Sequence, residues 1–81
     1  MFSDRFLKVP VLYEADNGEG FVRSDYIRPI AIDHITTDIA SWDDVEEKES
    51  IMRPCVVLWI FGNPVKVLME EDEFIKLLNT V

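Results

Sequence analysis

The nine residues from Arg53 to Phe61, RPCVVLWIF, decide how this chain folds. The run is rich in β-branched and aromatic residues, and it is apolar without a break from Cys55 to Phe61. A run this short, closed by Gly62-Asn63-Pro64, reads as a strand ending in a turn. Side chains alternate across a strand. Cys55, Val57, Trp59 and Phe61 therefore share one face, and Val56, Leu58 and Ile60 the other. Both faces are apolar, so both need cover.

Downstream, VKVLM (65–69) returns as the next strand and EEDEFIKLLN (70–79) reads as a helix. Its acids fall in the first turn, where the helix dipole favours them. Phe74, Leu77, Leu78 and Val81 recur at helical spacing. Upstream, FLKVPVLYEA (6–15) reads as a first strand in which Pro10 marks an edge or a bulge. Asn17-Gly18 is a hairpin signal, and FVRSDYI (21–27) is the partner strand. RPIAIDHI (28–35) gives a third strand, bent at Pro29.

Residues 36–50 then form an acidic excursion between strands. Ser41 and Asp44 have the spacing of a loose capping box, and Trp42 and Val45 could share a helical face over a turn or two. The expected fold is α+β. It is a small antiparallel sheet of four to five strands with a C-terminal helix packed on one face, in one domain over residues 1–81. One short helix covers only one face of the strong strand. A bent-over hairpin, the acidic excursion or another subunit must cover the second.

With 81 residues, 48% of them hydrophobic and 30% charged, the chain can build one core and is too apolar to be disordered. Domains of this size are marginally stable alone, which makes self-association an option. Charges at Asp4, Arg5 and Lys8 break up any signal-peptide pattern. The longest apolar run falls far short of the roughly 20 residues that span a bilayer. A single cysteine permits no internal disulfide, so a cytoplasmic setting is expected. Cys55 itself reads as a small buried hydrophobe.

The net charge of −8 argues against direct binding to nucleic acid. Residues 36–50 hold six acids and one base, and residues 70–73 hold four acids, for a combined −9. The remaining six acids and seven bases leave +1. The excess charge thus sits in two short segments.

None of these carboxylates forms a metal motif. DDVEEKES lacks the alternating ligands and central glycine of a calcium loop, and one Cys with one His does not make a zinc site. Asp33 and His34 are strand neighbours that point to opposite faces, which works against a catalytic pair. No serine sits in a nucleophile elbow, and NGEG lacks the lysine and helix of a phosphate loop. No cofactor and no enzymatic activity are expected.

The stretches DYIRPIAI and VVLWIFGNPVKVLMEEDEFIKLL resemble the small FlbD-like proteins of bacterial flagellar operons and similar short phage-encoded sheet proteins. The likeness lies in an isoleucine-spaced strand, an apolar strand ending in Gly, a returning valine strand and an acidic start to a short helix. The segment 36–50 and Asn63-Pro64 depart from that pattern. The resemblance implies a sheet-plus-helix fold and a non-enzymatic accessory role, and it carries over no site residues. Small size and acidity are also similar to phage-encoded inhibitors of host proteins.

The expected function is a non-catalytic acidic protein-interaction domain whose partner presents a basic, nucleic-acid-binding type of surface. Its expected contacts are Asp38, Trp42, Asp43, Asp44, Glu46, Glu47 and Glu49, with the acids steering and Trp42 anchoring. The competing readings are Trp42 packed over the sheet's second face and the acids as a solvated, solubilising face. The alternative is an assembly subunit that uses the second apolar face of the Cys55–Phe61 strand to form homo-oligomers.

Overall fold

A computed structural model describes residues 5–80. Five strands run in chain order: β1 (Leu7–Glu14), β2 (Glu19–Ile27), β3 (Ile32–Asp44), β4 (Ser50–Ile60) and β5 (Asn63–Val67). A short 3-10 turn at Pro29–Ala31 bends the chain into β3, and a helix α1 (Glu71–Leu78) follows β5. β1 and β2 pair along their length, from Leu7↔Ile27 to Glu14↔Gly20. In the intervening turn only Gly18 has a positive φ, at 88°. Ala15 N–H donates to Glu19 at 2.8 Å and Gly18 N–H to Ala15 at 3.2 Å.

The strands close into a barrel in the order β1-β2-β3-β4-β5. Two narrow seams complete it. β1 meets β5 at the single pair Val11↔Val67, and β2 meets β3 in parallel at Glu19↔Asp43 and Gly20↔Asp44. The sheet is therefore mixed, which corrects the antiparallel expectation; the α+β class stands. Parallel contact here joins the ends of two hairpins over two residue pairs. So short an overlap leaves no hydrophobic period in the sequence to announce it.

Segment 36–50 is not an excursion. β3 continues through Asp44, pairs with β4 from Ile32↔Ile60 to Asp43↔Ser50, and leaves only residues 45–49 as the loop. No helical turn forms at Ser41–Asp44. From Ile39 to Asp44 exposure alternates strictly, with Ala40, Trp42 and Asp44 buried. That is the period of a half-buried strand, with a carboxylate at one of its buried positions.

The two faces of β4 lead to two cores. Val56 and Leu58 join Leu7, Val9, Val11, Ile27 and Val67, and α1 closes this cluster with Phe74 and Leu78. Burying each of those two helix side chains contributes about 1.5–3 kcal/mol. Val81 lies outside the described residues. Cys55 and Val57 enter the second cluster with Leu12, Ala40, Trp42 and Leu68, and Trp59 packs on its edge. The second face is therefore covered by β1 and by the acidic strand itself, and it is not a bare surface for assembly.

Phe61 leaves the face assigned to it. The two-residue loop between β4 and β5 is Phe61-Gly62, one residue earlier than the Gly62-Asn63-Pro64 turn expected, because Asn63 already pairs with Ile60.

Gly20 marks where the β2–β3 seam closes. A Cβ there would stand 3.0 Å from the Tyr13 carbonyl oxygen and 3.1 Å from Trp42 Cδ1. The carbonyl belongs to the paired β1 backbone and cannot yield. Gly20→Ala is expected to cost about 1–3 kcal/mol through overpacking, read as a lower urea midpoint with an unchanged slope.

Candidate functional site

The seven residues expected to form an interaction surface do not lie together on one exposed surface. Trp42 is 4% exposed, and its indole Nε1 donates to Asp44 Oδ2 at 3.1 Å. Its ring is part of the second core rather than of the exposed surface. Asp44 is buried too, at 8% exposure. Its Oδ1 accepts the backbone N–H groups of Glu46 at 3.0 Å and Glu47 at 2.9 Å, so it ties the β3–β4 loop. Asp38 is exposed and accepts the N–H of Ile39 at 2.8 Å. It stands about 17 Å up the strand from Asp43 at the usual strand rise. Asp43, Glu46, Glu47 and Glu49 remain exposed together at the tip. The β2–β3 seam brings Glu19 beside them, around a depression lined also by Lys48.

Backbone donation from Glu47, with the Trp42 indole second, holds the Asp44 carboxyl below the usual carboxylate range. A depressed folded pKa stabilises the fold above the unfolded value of about 3.9. That contribution is lost as pH falls through the folded pKa. Asp44→Asn keeps an acceptor and removes the charge. Its thermal midpoint is expected below the wild type at neutral pH, and the two should converge in acid, as a calorimetric pH series would show.

Asp33 falls at an irregularity of the β3–β4 register, between Ile32↔Ile60 and His34↔Trp59, and the two side chains take different partners. Asp33 Oδ2 accepts Gly62 N–H at 3.3 Å, while the His34 ring stacks on Trp59 at 5.4 Å between centroids. Trp59 Nε1 donates to Thr36 Oγ1 at 3.1 Å. Burial pushes the Cys55 thiol up, and Asp38 adds to the shift. Among the described residues no group of three His, Cys, Asp or Glu could hold a metal ion. Among them, too, no helix is long and apolar enough to cross a membrane.

A larger concavity than the one at the tip lies elsewhere. Beyond Val11↔Val67 the strands β1 and β5 separate, opening a groove of about 620 Å³ between the first hairpin and the β4–β5 turn. Its floor is Val11, Ile27 and Val65, and its rim carries Phe6, Tyr26, Phe61 and Pro64. The three rim aromatics are exposed, at 60%, 61% and 82% for Phe6, Tyr26 and Phe61. Polar groups at the mouth are already engaged. Lys66 Nζ bonds Glu14 Oε1 at 2.7 Å across the seam, and that bond raises the Lys66 pKa. Tyr13 donates its hydroxyl to Asp25, which chiefly for that reason has a lowered pKa, and Arg23 lies over the Tyr13 ring at 4.9 Å.

Phe61 is the anomaly of this site. Its φ is +52° and that of Gly62 is +78°, the paired positive values of a type I′ turn. Such turns favour Asn-Gly, and the left-handed region costs an L-residue about 1–2 kcal/mol. A bulky side chain at such a φ with its ring in solvent gains little burial to offset the backbone cost. Reading Phe61 as the last strand residue hid this. A phenylalanine directly before the glycine of a short hairpin was the available signal.

No family model matches the chain, and neither a curated protein nor a solved structure matches it.

Proposed function

We propose that this protein is a non-catalytic protein-interaction domain that holds an extended segment of another protein in the groove between β1–β2 and the β4–β5 turn. The observation that carries this reading is Phe61, kept in a costly backbone conformation with its ring in solvent at the groove rim. Apolar grooves rimmed by aromatics are the usual form of peptide sites, because rigid rings supply contact area at little entropic cost. Phe6, Tyr26 and Phe61 are the expected anchors, replacing Trp42.

The acidic tip is given a secondary part. Asp43, Glu46, Glu47, Glu49 and Glu19 set up a negative field that speeds encounter with a segment flanked by basic residues. Truncating an acid there should change association rate and salt dependence, while truncating a rim aromatic should change dissociation.

The test is selection from a random-peptide display library against the folded domain. Selected peptides should be apolar in sequence and should shift the NMR signals of Val11, Ile27 and Val65. They should bind Phe61→Asn and Tyr26→Ala about 30-fold or more weakly. Peptides that leave those signals unmoved, or that bind both variants as well as the wild type, would overturn the reading.

A further inference from the structure

β2 has one free edge. Its inner edge pairs with β1 throughout, but its outer edge contacts β3 only at Glu19 and Gly20. From Phe21 to Ile27 no described residue pairs with it. The exposed edge of a strand is a template for another strand unless something blocks it. Phe21, Val22 and Tyr26 on this edge are exposed, as are Arg23 and Ser24.

The sequence of this edge is self-complementary. FVRSDYI read against itself in antiparallel sense, with Ser24 at the centre, sets Arg23 opposite Asp25, Val22 opposite Tyr26 and Phe21 opposite Ile27. Opposite charges and apolar residues facing across a strand pair are the favourable combinations, and like charges are unfavourable. Centring the pair on Arg23 or on Asp25 instead would place two like charges face to face. The backbone agrees with the Ser24 register. Tyr26 N–H is taken by its neighbour's Asp25 Oδ1 at 2.8 Å, so it points away from β1. Its even-numbered neighbours Ser24 and Val22 point the same way.

We infer that β2 is a docking edge for a second copy of this chain, joined about a two-fold axis through Ser24. Two Arg23–Asp25 pairs set the register, and pairing ends at Phe21, where β3 takes over the edge. Arg23 Nη2 and Asp25 Oδ2 stand 3.8 Å apart within one copy. In the pair each exchanges this loose contact for a cross-strand partner, and Tyr26 N–H passes to the Val22 carbonyl of the second copy. The inference does not rest on the peptide groove; the two surfaces share Tyr26, while Phe61 and Pro64 lie off this edge.

Ser24→Cys tests it, because an axis through residue 24 brings the two sulfurs within disulfide reach. Under mild oxidation Ser24→Cys is expected to form covalent dimers at least about tenfold faster than Glu47→Cys, an exposed control on the β3–β4 loop, since held proximity sets a high effective concentration. Adding Arg23→Asp to Ser24→Cys should slow cross-linking, and so should adding Asp25→Arg. Mixing those two charge variants should restore it, because acid then faces base at every pair. Equal rates for the Ser24 and Glu47 cysteines would overturn the inference. So would fast cross-linking that ignores the charge variants, which would move the contact to another register. Circular dichroism of each variant separates a lost edge contact from a lost fold.

Discussion

Trp42→Ala should leave most of the chain unfolded at 25 °C. The side chain is 4% exposed and fills the second core between Leu12, Ala40, Cys55, Val57 and Leu68. Removing a buried tryptophan costs about 3–5 kcal/mol. A core in a domain of this size supplies about as much net stability, so the loss consumes nearly all of it. The indole also donates to Asp44, which in turn ties the β3–β4 loop, and its ring packs on Gly20 where β2 and β3 meet. One side chain thus joins the core, the loop and the parallel seam. Trp42→Phe keeps most of the volume and loses only the donor, so it should remain folded with a reduced urea midpoint. Far-ultraviolet circular dichroism and the fluorescence of Trp59 would read both. A Trp42→Ala variant with wild-type stability would return this residue to the surface and restore it as a candidate partner contact.

Trp42 also shows why the sequence was legible in one half and misleading in the other. β4, β5 and α1 announce themselves because apolar residues fill both faces of one strand and one face of the helix. The first hairpin is equally plain, since Asn17-Gly18 interrupts two apolar runs. β3 is different. Its buried positions after Ile39 are Ala40, Trp42 and Asp44, a small residue, a tryptophan set among acids and a carboxylate, and the last is not read as core. Five neighbouring carboxylates then drew attention to charge, although Asp44 is an internal tie and only the acids around it meet solvent. Spacing is informative here and residue type is not. Ala40, Trp42 and Asp44 keep a period of two, which a charge-led reading passes over.

The groove was illegible for a different reason. It depends on β1 and β5 parting after Val11↔Val67, a property of barrel closure that no local pattern records. Phe6 precedes β1, Tyr26 lies on β2 and Phe61 in the β4–β5 turn, so they come to one groove only in the fold. The β2 edge was hidden in the same way. FVRSDYI is recognisable as a strand, but that its outer edge stays open follows from the parallel seam stopping at Gly20. Once the seam is known, the self-complementary order of its charges can be read directly from the sequence.

Phe61→Asn should make the protein more stable and its peptide binding far weaker. The ring is 82% exposed, so replacing it forfeits little burial. Asparagine tolerates φ near +52° better than phenylalanine does, and Asn-Gly is the preferred pair for this turn. The expected gain is about 1 kcal/mol, which in a domain of this size raises the melting temperature by about 4–8 °C. Loss of an aromatic hot spot costs about 2–4 kcal/mol of binding, or roughly 30- to 1,000-fold in Kd. The opposite signs are what make the experiment decisive. A phenylalanine kept for folding would lower stability on removal and leave the groove's peptides unaffected. One kept for binding does the reverse, because the strain at residue 61 is relieved at the same moment as the contact is lost. Differential scanning calorimetry and peptide titration on the same preparation measure the two signs together.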